Sequence, residues 1–433
     1  MASGKRKINV ITLGCSKNTV DSERLMNQLK VNNLKLVDNP DDADTVIINT
    51  CGFIEAAKVE SINTILNSVA LKQQGKLKEV IVTGCLSARY KDELHKNIPE
   101  VDRYFGTEDY ENVLRHFGAN LKYELLGERI LSYPSHTAYL KISEGCDRPC
   151  SFCAIPLMRG SHRSKPMDEL VSESKFLAAN GTKELILIAQ DTTDYGTDIY
   201  GKQKLADLLN RLSEIDSIEW IRLMYAYPSR FPDDVINVIA NNPKICKYID
   251  MPLQHISDNV LKSMRRGISK SGTLRLIDKL KNRIDGLTLR TTFMVGYPNE
   301  TSKDFEELCR FVEETRFNRL GVFTYSQEEN TPAYILGDPV PAKEKQSRKN
   351  IIMEIQREIS RSLNQSLIGK EERVIIDGTE GNYYIARSCR DAPEVDGEIL
   401  IERNGSAPET GIFRKVKITD FEDYDLFALF SDL

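Results

Sequence analysis

The sequence contains no apolar run approaching the roughly 20 residues that cross a bilayer. Its first residues, Met-Ala-Ser-Gly-Lys-Arg-Lys, lack the apolar core of a secretion signal, so a cytoplasmic protein with no membrane partner is expected. No GxxxxGK[ST] loop is present, which argues against a nucleoside triphosphatase. A basic surplus is missing as well. With a net charge of −5 and plentiful charged residues of both signs, nothing marks the whole chain as disordered or as a general nucleic-acid binder. The nine cysteines are odd in number and widely spread, which disfavours disulfides and favours thiolate ligands in a reducing compartment. The length of 433 residues predicts two to four domains with large buried cores.

What is present is Cys146-Asp-Arg-Pro-Cys150-Ser-Phe-Cys153, three thiols in CxxxCxxC spacing on one short loop. A [4Fe–4S] cluster normally takes four cysteines. No fourth lies nearby in sequence, so one iron would stay open to a small molecule. A structural zinc site closed by a histidine such as His162 is the plainer alternative, but closed zinc sites usually show paired CxxC arms and this loop has no partner arm. The spacing resembles the defining loop of the radical S-adenosylmethionine (SAM) enzymes. That resemblance implies an open iron chelated by SAM and a 5′-deoxyadenosyl radical released by one-electron cleavage.

Three apolar runs in the first third each finish in a cysteine: Ile8 to Cys15, Thr45 to Cys51 and Glu79 to Cys85. Their β-branched residues suit parallel strands buried on both faces, separated by helix-like stretches from Asp21 to Lys30 and from Glu55 to Leu71. Strand–helix alternation predicts a doubly wound parallel sheet whose strands deliver their carboxyl ends to one edge. Cys15, Cys51 and Cys85 would converge there as a second three-thiolate site; three buried inert cysteines are the alternative.

From about Thr137 to Thr324, six further strand–helix units predict a partial (β/α)6 barrel with functional loops at the strands' carboxyl ends. The CxxxCxxC loop follows the first of these strands. Gln190 and Asp191 follow the second, Gln254 and His255 the fourth, and Gly296 and Glu300 the fifth. Gln190, Asp191, Gln254, Gly296 and Glu300 are therefore candidate SAM contacts, Gly296 by letting backbone approach the adenine. Helix capping is the simpler account of Asp191, Asn299 and Thr301. Arg159, Arg163, Arg265 and Arg266 could neutralise cluster or substrate charge or simply lie in solvent. His255 could be a satisfied histidine or a ligand, while Cys246, Cys309 and Cys389 are isolated and read as structural.

Lys343 to about Leu367 reads as a long amphipathic helix, with Ile351, Ile355, Ile359, Leu363 and Leu367 at four-residue steps. Beyond it, four short alternating runs divided by turn residues predict a small antiparallel β-barrel. Such barrels often grip RNA, yet residues 368–433 hold eight basic and fifteen acidic side chains, a net of −7. That field repels phosphate and attracts basic protein, although a basic face around Arg414, Lys415 and Lys417 remains possible. Direct nucleic-acid binding is not expected to dominate.

Over essentially its full length the chain resembles the radical-SAM methylthiotransferases. Gly14-Cys15-Ser16-Lys17-Asn18, Val20-Asp21-Ser22-Glu23 and the segment Glu144 to Gly160 are similar to the branch that modifies ribosomal protein S-twelve. The resemblance implies an N-terminal cluster domain (1–125), a radical-SAM domain with its trailing helix (132–367) and a TRAM domain (368–433). It implies two [4Fe–4S] clusters, one on Cys146, Cys150 and Cys153 and one on Cys15, Cys51 and Cys85, with catalytic residues beyond these ligands unassigned. The implied reaction replaces a C–H bond on the β-carbon of an S-twelve aspartate by a methylthio group, with electrons from a donor such as flavodoxin or ferredoxin. The alternatives are a transfer-RNA methylthiotransferase of the same architecture and a non-catalytic iron–sulfur or zinc protein.

Overall fold

The computed structural model describes residues 6–132, 134–403 and 409–431. The polar residues 1–5 and Asp432, both used in the sequence reading, lie outside the described residues.

The N-terminal part runs β1 (Lys7–Thr12), α1 (Ser16–Val31), β2 (Lys35–Leu36), β3 (Thr45–Thr50), α2 (Glu55–Gln73), β4 (Glu79–Gly84), α3 (Cys85–Asn97), β5 (Arg103–Tyr104) and α4 (Tyr110–His116). Its five parallel strands lie in the order β2-β1-β3-β4-β5. Every residue of β3 and β4 is buried, as strands covered on both faces must be. One face packs Ile8, Ile47 and Ile81 under α1 and α4, while the other packs Val46, Ile48, Val80 and Val82 under α2 and α3. The strand order reverses between β1 and β3, and the crevice at such a reversal is where open α/β sheets bind ligands.

The central part begins with β6 (Thr137–Lys141), β7 (Ser143–Glu144), α5 (Ile155–Arg159), β8 (Arg163–Ser164), α6 (Met167–Ala179) and β9 (Glu184–Ile188). It continues through α7 (Thr197–Tyr200), α8 (Leu205–Ser213), β10 (Trp220–Leu223), α9 (Asp233–Asn241), β11 (Ile245–Asp250), α10 (Asp258–Ser263), α11 (Lys270–Arg283), β12 (Thr288–Val295), α12 (Ser302–Thr315) and β13 (Arg319–Thr324). Six parallel strands form an open barrel in the order β13-β12-β11-β10-β9-β6. Outward side chains such as Leu187, Leu223 and Phe293 join the surrounding helices in the largest core cluster. Inward ones, including Tyr139, Ile186, Trp220 and Tyr248, form a second cluster that α1 reaches with Val20.

The long helix α13 (Ala342–Gln365) lies against β13 and α12. Of the expected apolar row at four-residue steps, Ile359 is buried and Ile355, Leu363 and Leu367 pack partly buried on the cores, while Ile351 is exposed and Lys345, Arg348, Ile352 and Gln356 share the buried face. A four-residue step advances about 40° beyond a full turn at 3.6 residues per turn, so such a row winds off one face.

The C-terminal strands β14 (Glu371–Glu380), β15 (Tyr383–Ser388), β16 (Ile399–Glu402), β17 (Phe413–Phe421) and β18 (Leu426–Phe430) close as β14-β15-β16-β18-β17. The barrel is not wholly antiparallel as the sequence suggested, because β16 and β18 pair in parallel. A ring of five strands cannot alternate direction all the way round, so one parallel pair is forced once β18 closes it.

This small barrel plugs the interior of the large one. Ile375 and Ala392 enter the inward cluster, and the single tryptophan, Trp220, stacks edge-on against Phe413 at 4.8 Å. Around them Glu184, wholly buried, accepts from Arg222 Nε at 2.9 Å and from Arg387 Nη2 at 2.8 Å. Burial alone would raise the Glu184 carboxyl, but Arg387 and Arg222 hold it below the usual carboxylate range. Asp377 meets His136, Asp391 meets Arg319, Asp396 meets Arg290 and Tyr248, and Asp423 meets Arg361. Part of the module's acidic excess therefore faces inward, against cations of the barrel and α13, rather than outward to a partner. Arg414, Lys415 and Lys417 are exposed along β17.

Arg387→Ala would remove the cation that Glu184 and Asp377 share, leaving them only Arg222 and His136, and breaking one side of a buried ion pair typically removes about 3–5 kcal/mol. We expect a lower denaturation midpoint together with proteolytic release of the C-terminal barrel, read by denaturant titration and limited digestion.

Candidate metal centres and cofactor site

In the N-terminal sheet, Cys15 is the N-cap of α1, Cys51 follows β3 and Cys85 opens α3. Because β1, β3 and β4 are adjacent, their carboxyl ends bring the three thiols to one edge. Gly14, at φ +92°, makes this possible: a Cβ there would lie 2.6 Å from Cys51 Cβ and 3.0 Å from its Sγ. Asn18, fully buried, ties the loops together by donating to Leu13 O at 2.7 Å and Thr50 O at 3.1 Å. Its Oδ1 lies 3.8 Å from Cys85 Sγ. The sequence reading gave Asn18 no role; its place three residues after Cys15, on the first turn of a helix, was the available signal. Ser61 braces Cys51, accepting from its N–H and donating to its carbonyl.

The CxxxCxxC loop springs from a two-strand neck, β7 paired with β8, closed by Cys146 N–H donating to Gly160 O at 3.1 Å. Ser151 anchors its centre to Ser263 O at 2.8 Å and to the Tyr297 hydroxyl at 2.9 Å. Arg266 donates to Cys150 Sγ at 3.1 Å and Arg148 donates to Asp191 Oδ2 at 2.6 Å; their guanidinium groups cover the Tyr227 ring at 4.3 and 4.6 Å. Of the four arginines singled out, Arg266 and Arg159 are thus buried at cysteine sites, while Arg163 and Arg265 are exposed.

The two cysteine sites adjoin. Cys85 packs directly on Ala154 and Met158, which follow Cys153 in sequence, and α3 lies along α5. Between the sites lies a buried ion cluster. Lys141 Nζ donates to Glu144 at 2.6 Å, to Glu108 at 2.7 Å and to Asp21, and Arg159 bridges Asp21 and Glu144. Burial alone would raise the Glu144 carboxyl, but Lys141 and Arg159 hold it well below the usual carboxylate range.

Among the described residues, the three carboxylates around Lys141 are the only trio of His, Cys, Asp or Glu whose donor atoms all lie within 4.8 Å. That trio is already filled by an ammonium. Each cysteine triad is spread more widely than a lone zinc requires, since tetrahedral Zn–S bonds of about 2.3 Å put sulfurs about 3.8 Å apart. His162, the suggested fourth zinc ligand, instead has Nε2 hydrogen-bonded to Ser164 at 3.0 Å. A wider sulfur frame suits an iron–sulfur cluster.

The SAM candidates divide. Gln190 donates to Glu144 at 3.0 Å and leaves its buried Oε1 without a protein partner, as a ligand-facing carboxamide would. Asp191 caps Thr193 and holds Arg148, so it acts on the loop. Gln254 adopts φ +73° and joins the sheet through its backbone beside Phe293. Gly296 lets Lys345 approach closely, since a Cβ there would lie 2.3 Å from Lys345 Cγ. Glu300 receives the N–H groups of Gly296 and Tyr297 and pairs with Arg348, bracing the loop against α13. His255 is fully buried, its Nδ1 accepting from Ser257 N–H and its Nε2 3.7 Å from Glu300 Oε1. Thr301 is an N-cap with Asp304, as its sequence context suggested.

Burial pushes the Cys146 thiol up to about 11 and those of Cys85 and Cys153 up to about 12. In metal-free protein these thiols stay protonated at neutral pH, and the stability tied to their protonation, complete below the ordinary thiol value, is lost as pH rises toward 11–12. Iodoacetamide labelling of metal-free protein should therefore accelerate above pH 9 as the melting temperature falls. Gly14→Ala should abolish iron loading of the N-terminal triad while the barrel triad still loads, read by iron analysis in variants lacking one triad.

Comparison with known proteins follows the same three-part division. Residues 7–106 match the uncharacterized protein family UPF0004, 140–312 the radical SAM superfamily and 368–430 the TRAM domain. The chain is 52% identical to the ribosomal protein uS12 methylthiotransferase RimO of Cytophaga hutchinsonii, over 98% of both chains. It is 55% identical to that of Christiangramia forsetii, over 98% of this chain and 94% of the other. Against the Aquifex aeolicus protein of the same name it is 50% identical, over 97% and 96%. In fold it is similar to the radical SAM methyltransferase TsrM of Kitasatospora setae, with TM-score 0.56, 14% identity and 77% of each chain covered. It is also similar to the cobalamin-dependent radical enzyme OxsB, with TM-score 0.52 and 11% identity over 81% of this chain and 56% of the other. Near-complete coverage at half identity, on a fold with cysteine triads at both strand edges, settles the kinship: the chain belongs to the radical SAM family of ribosomal protein uS12 methylthiotransferases.

Proposed function

We propose that the protein transfers a methylthio group to the β-carbon of an aspartate in ribosomal protein uS12. The observation that carries this reading is the direct packing of Cys85 on Ala154 and Met158, which puts two three-thiol sites against one another. Cys146, Cys150 and Cys153 would hold a [4Fe–4S] cluster that binds SAM, and Cys15, Cys51 and Cys85 would hold a second. When bound, these groups supply radical hydrogen abstraction and a methylated sulfur, chemistry no side chain offers toward an unactivated carbon.

The chain's own residues bind, orient and exclude water. Arg266 and Tyr227 surround Cys150, Ser151 pins the loop, and Gln190 presents a free carboxamide oxygen beside Glu144. Arg89, donating to Glu328 at 2.7 Å, ties α3 to the segment after β13, whose Ala333 N–H donates to Ser151 O at 2.7 Å. That strap closes the flank shared by both sites. The units 1–125, 132–367 and 368–433 would then present sulfur, generate the radical and complete the barrel floor. An external one-electron donor such as flavodoxin or ferredoxin fits the need for a reductant.

Cys150→Ala should abolish 5′-deoxyadenosine formation. Cys51→Ala should retain SAM cleavage and lose methylthio transfer, followed by mass spectrometry of uS12 and, in parallel, of total transfer RNA. Equal loss of SAM cleavage in both variants at matched loading of the barrel site would overturn the division of roles, and a modified transfer RNA would redirect the substrate.

A further inference from the structure

Arg159 closes α5, six residues after Cys153, yet its guanidinium serves the other domain. Only 3% exposed, it donates through Nη1 to Asp21 at 3.1 Å and to Glu144 at 2.9 and 3.0 Å. Through Nη2 it donates to Asn18 Oδ1 at 2.5 Å, the same atom that lies 3.8 Å from Cys85 Sγ. The cation and the thiol thus share one anchor on α1. The charge of Arg159 also bears on Cys51 and Cys15. Facing it are Asp21 and Glu144, which it shares with Lys141 alone, while Glu108 pairs with Lys141, Arg24 and Arg163. Removing Arg159 would leave Asp21 and Glu144 with Lys141 as their shared cation and would take a positive charge from beside the cysteines.

We propose that Arg159, a residue of the radical-SAM barrel, is a positioning residue for the N-terminal cysteine site, its buried charge setting the electron affinity of a cluster held by Cys15, Cys51 and Cys85. The proposal rests on the two-cluster reading above. Reduction adds one negative charge to a cluster whose thiolate ligands are already anionic, and net charge and surroundings tune such potentials. A fixed cation in a poorly screened interior favours the reduced form. The barrel half thereby conditions the sulfur-presenting half without contributing a ligand to it.

The test uses the full chain with Cys146, Cys150 and Cys153 replaced by Ala, reconstituted anaerobically with iron and sulfide so that only the N-terminal site can load. The midpoint potential is read by electron paramagnetic resonance during a mediated dithionite titration. Arg159→Gln should lower it by at least a tenfold change in the reduction equilibrium, about 59 mV for one electron. Arg159→Lys, which keeps the charge, should stay closer to the parent. Loading of the Lys but not the Gln variant would also support the role of charge. Equal potentials in all three proteins, a Lys variant matching Gln, or loss of iron from both variants would overturn it. A parent with Arg159 intact that holds no iron would instead sink the two-cluster reading itself.

Discussion

The ammonium of Lys141, wholly buried at the end of the first barrel strand, is the interaction on which the site depends. Burial alone would lower its proton affinity, but Asp21, Glu108 and Glu144 raise it well above the ordinary lysine value, so it stays charged. Each carboxylate belongs to a different piece: Asp21 to α1, Glu108 to the loop before α4, Glu144 to the neck of the CxxxCxxC loop. One cation thus fixes how the N-terminal sheet meets the barrel and where the loop stands. A buried ion unpaired from any of these partners is strongly destabilising, which restricts the two halves to one relative placement. Arg24 with Glu173, and Arg129 with Glu23, extend the same ionic seam along α1. This explains why a helix rich in polar residues is buried on nearly every side, a pattern that hydrophobic periodicity does not anticipate.

Much of the architecture was legible because it rests on local chemistry. β-branched runs ending in cysteine gave the N-terminal strands, and the six parallel strands of the barrel lie between Thr137 and Thr324, as expected. Convergence of Cys15, Cys51 and Cys85 followed from parallel topology alone. What escaped was everything fixed by contacts between distant segments. Gly296 read as room for a ligand, and its missing Cβ also makes room for Lys345, some fifty residues away. Glu300 read as a cofactor contact, and its Oε2 holds a turn against Arg348 while its buried Oε1 has no hydrogen-bond partner. Arg159 and Arg163 were indistinguishable by sequence, yet one is buried against Asn18 and the other lies in solvent. No spacing rule carries that difference, because it depends on the other domain.

The acidic C-terminal barrel illustrates how net charge misleads when interfaces are unseen. Its excess of carboxylates suggested a field aimed at a basic partner. Asp377, Asp391, Asp396 and Asp423 instead meet His136, Arg319, Arg290 and Arg361. The outward face is correspondingly less acidic than composition implied, and β17 presents Arg414, Lys415 and Lys417.

Trp220 sits where the two barrels meet, edge-on to Phe413, and the chain has no other indole. The ultraviolet emission of the protein excited at long wavelength therefore comes from that junction alone. In metal-free protein its colour and quenching report how tightly the plug is seated, without any label.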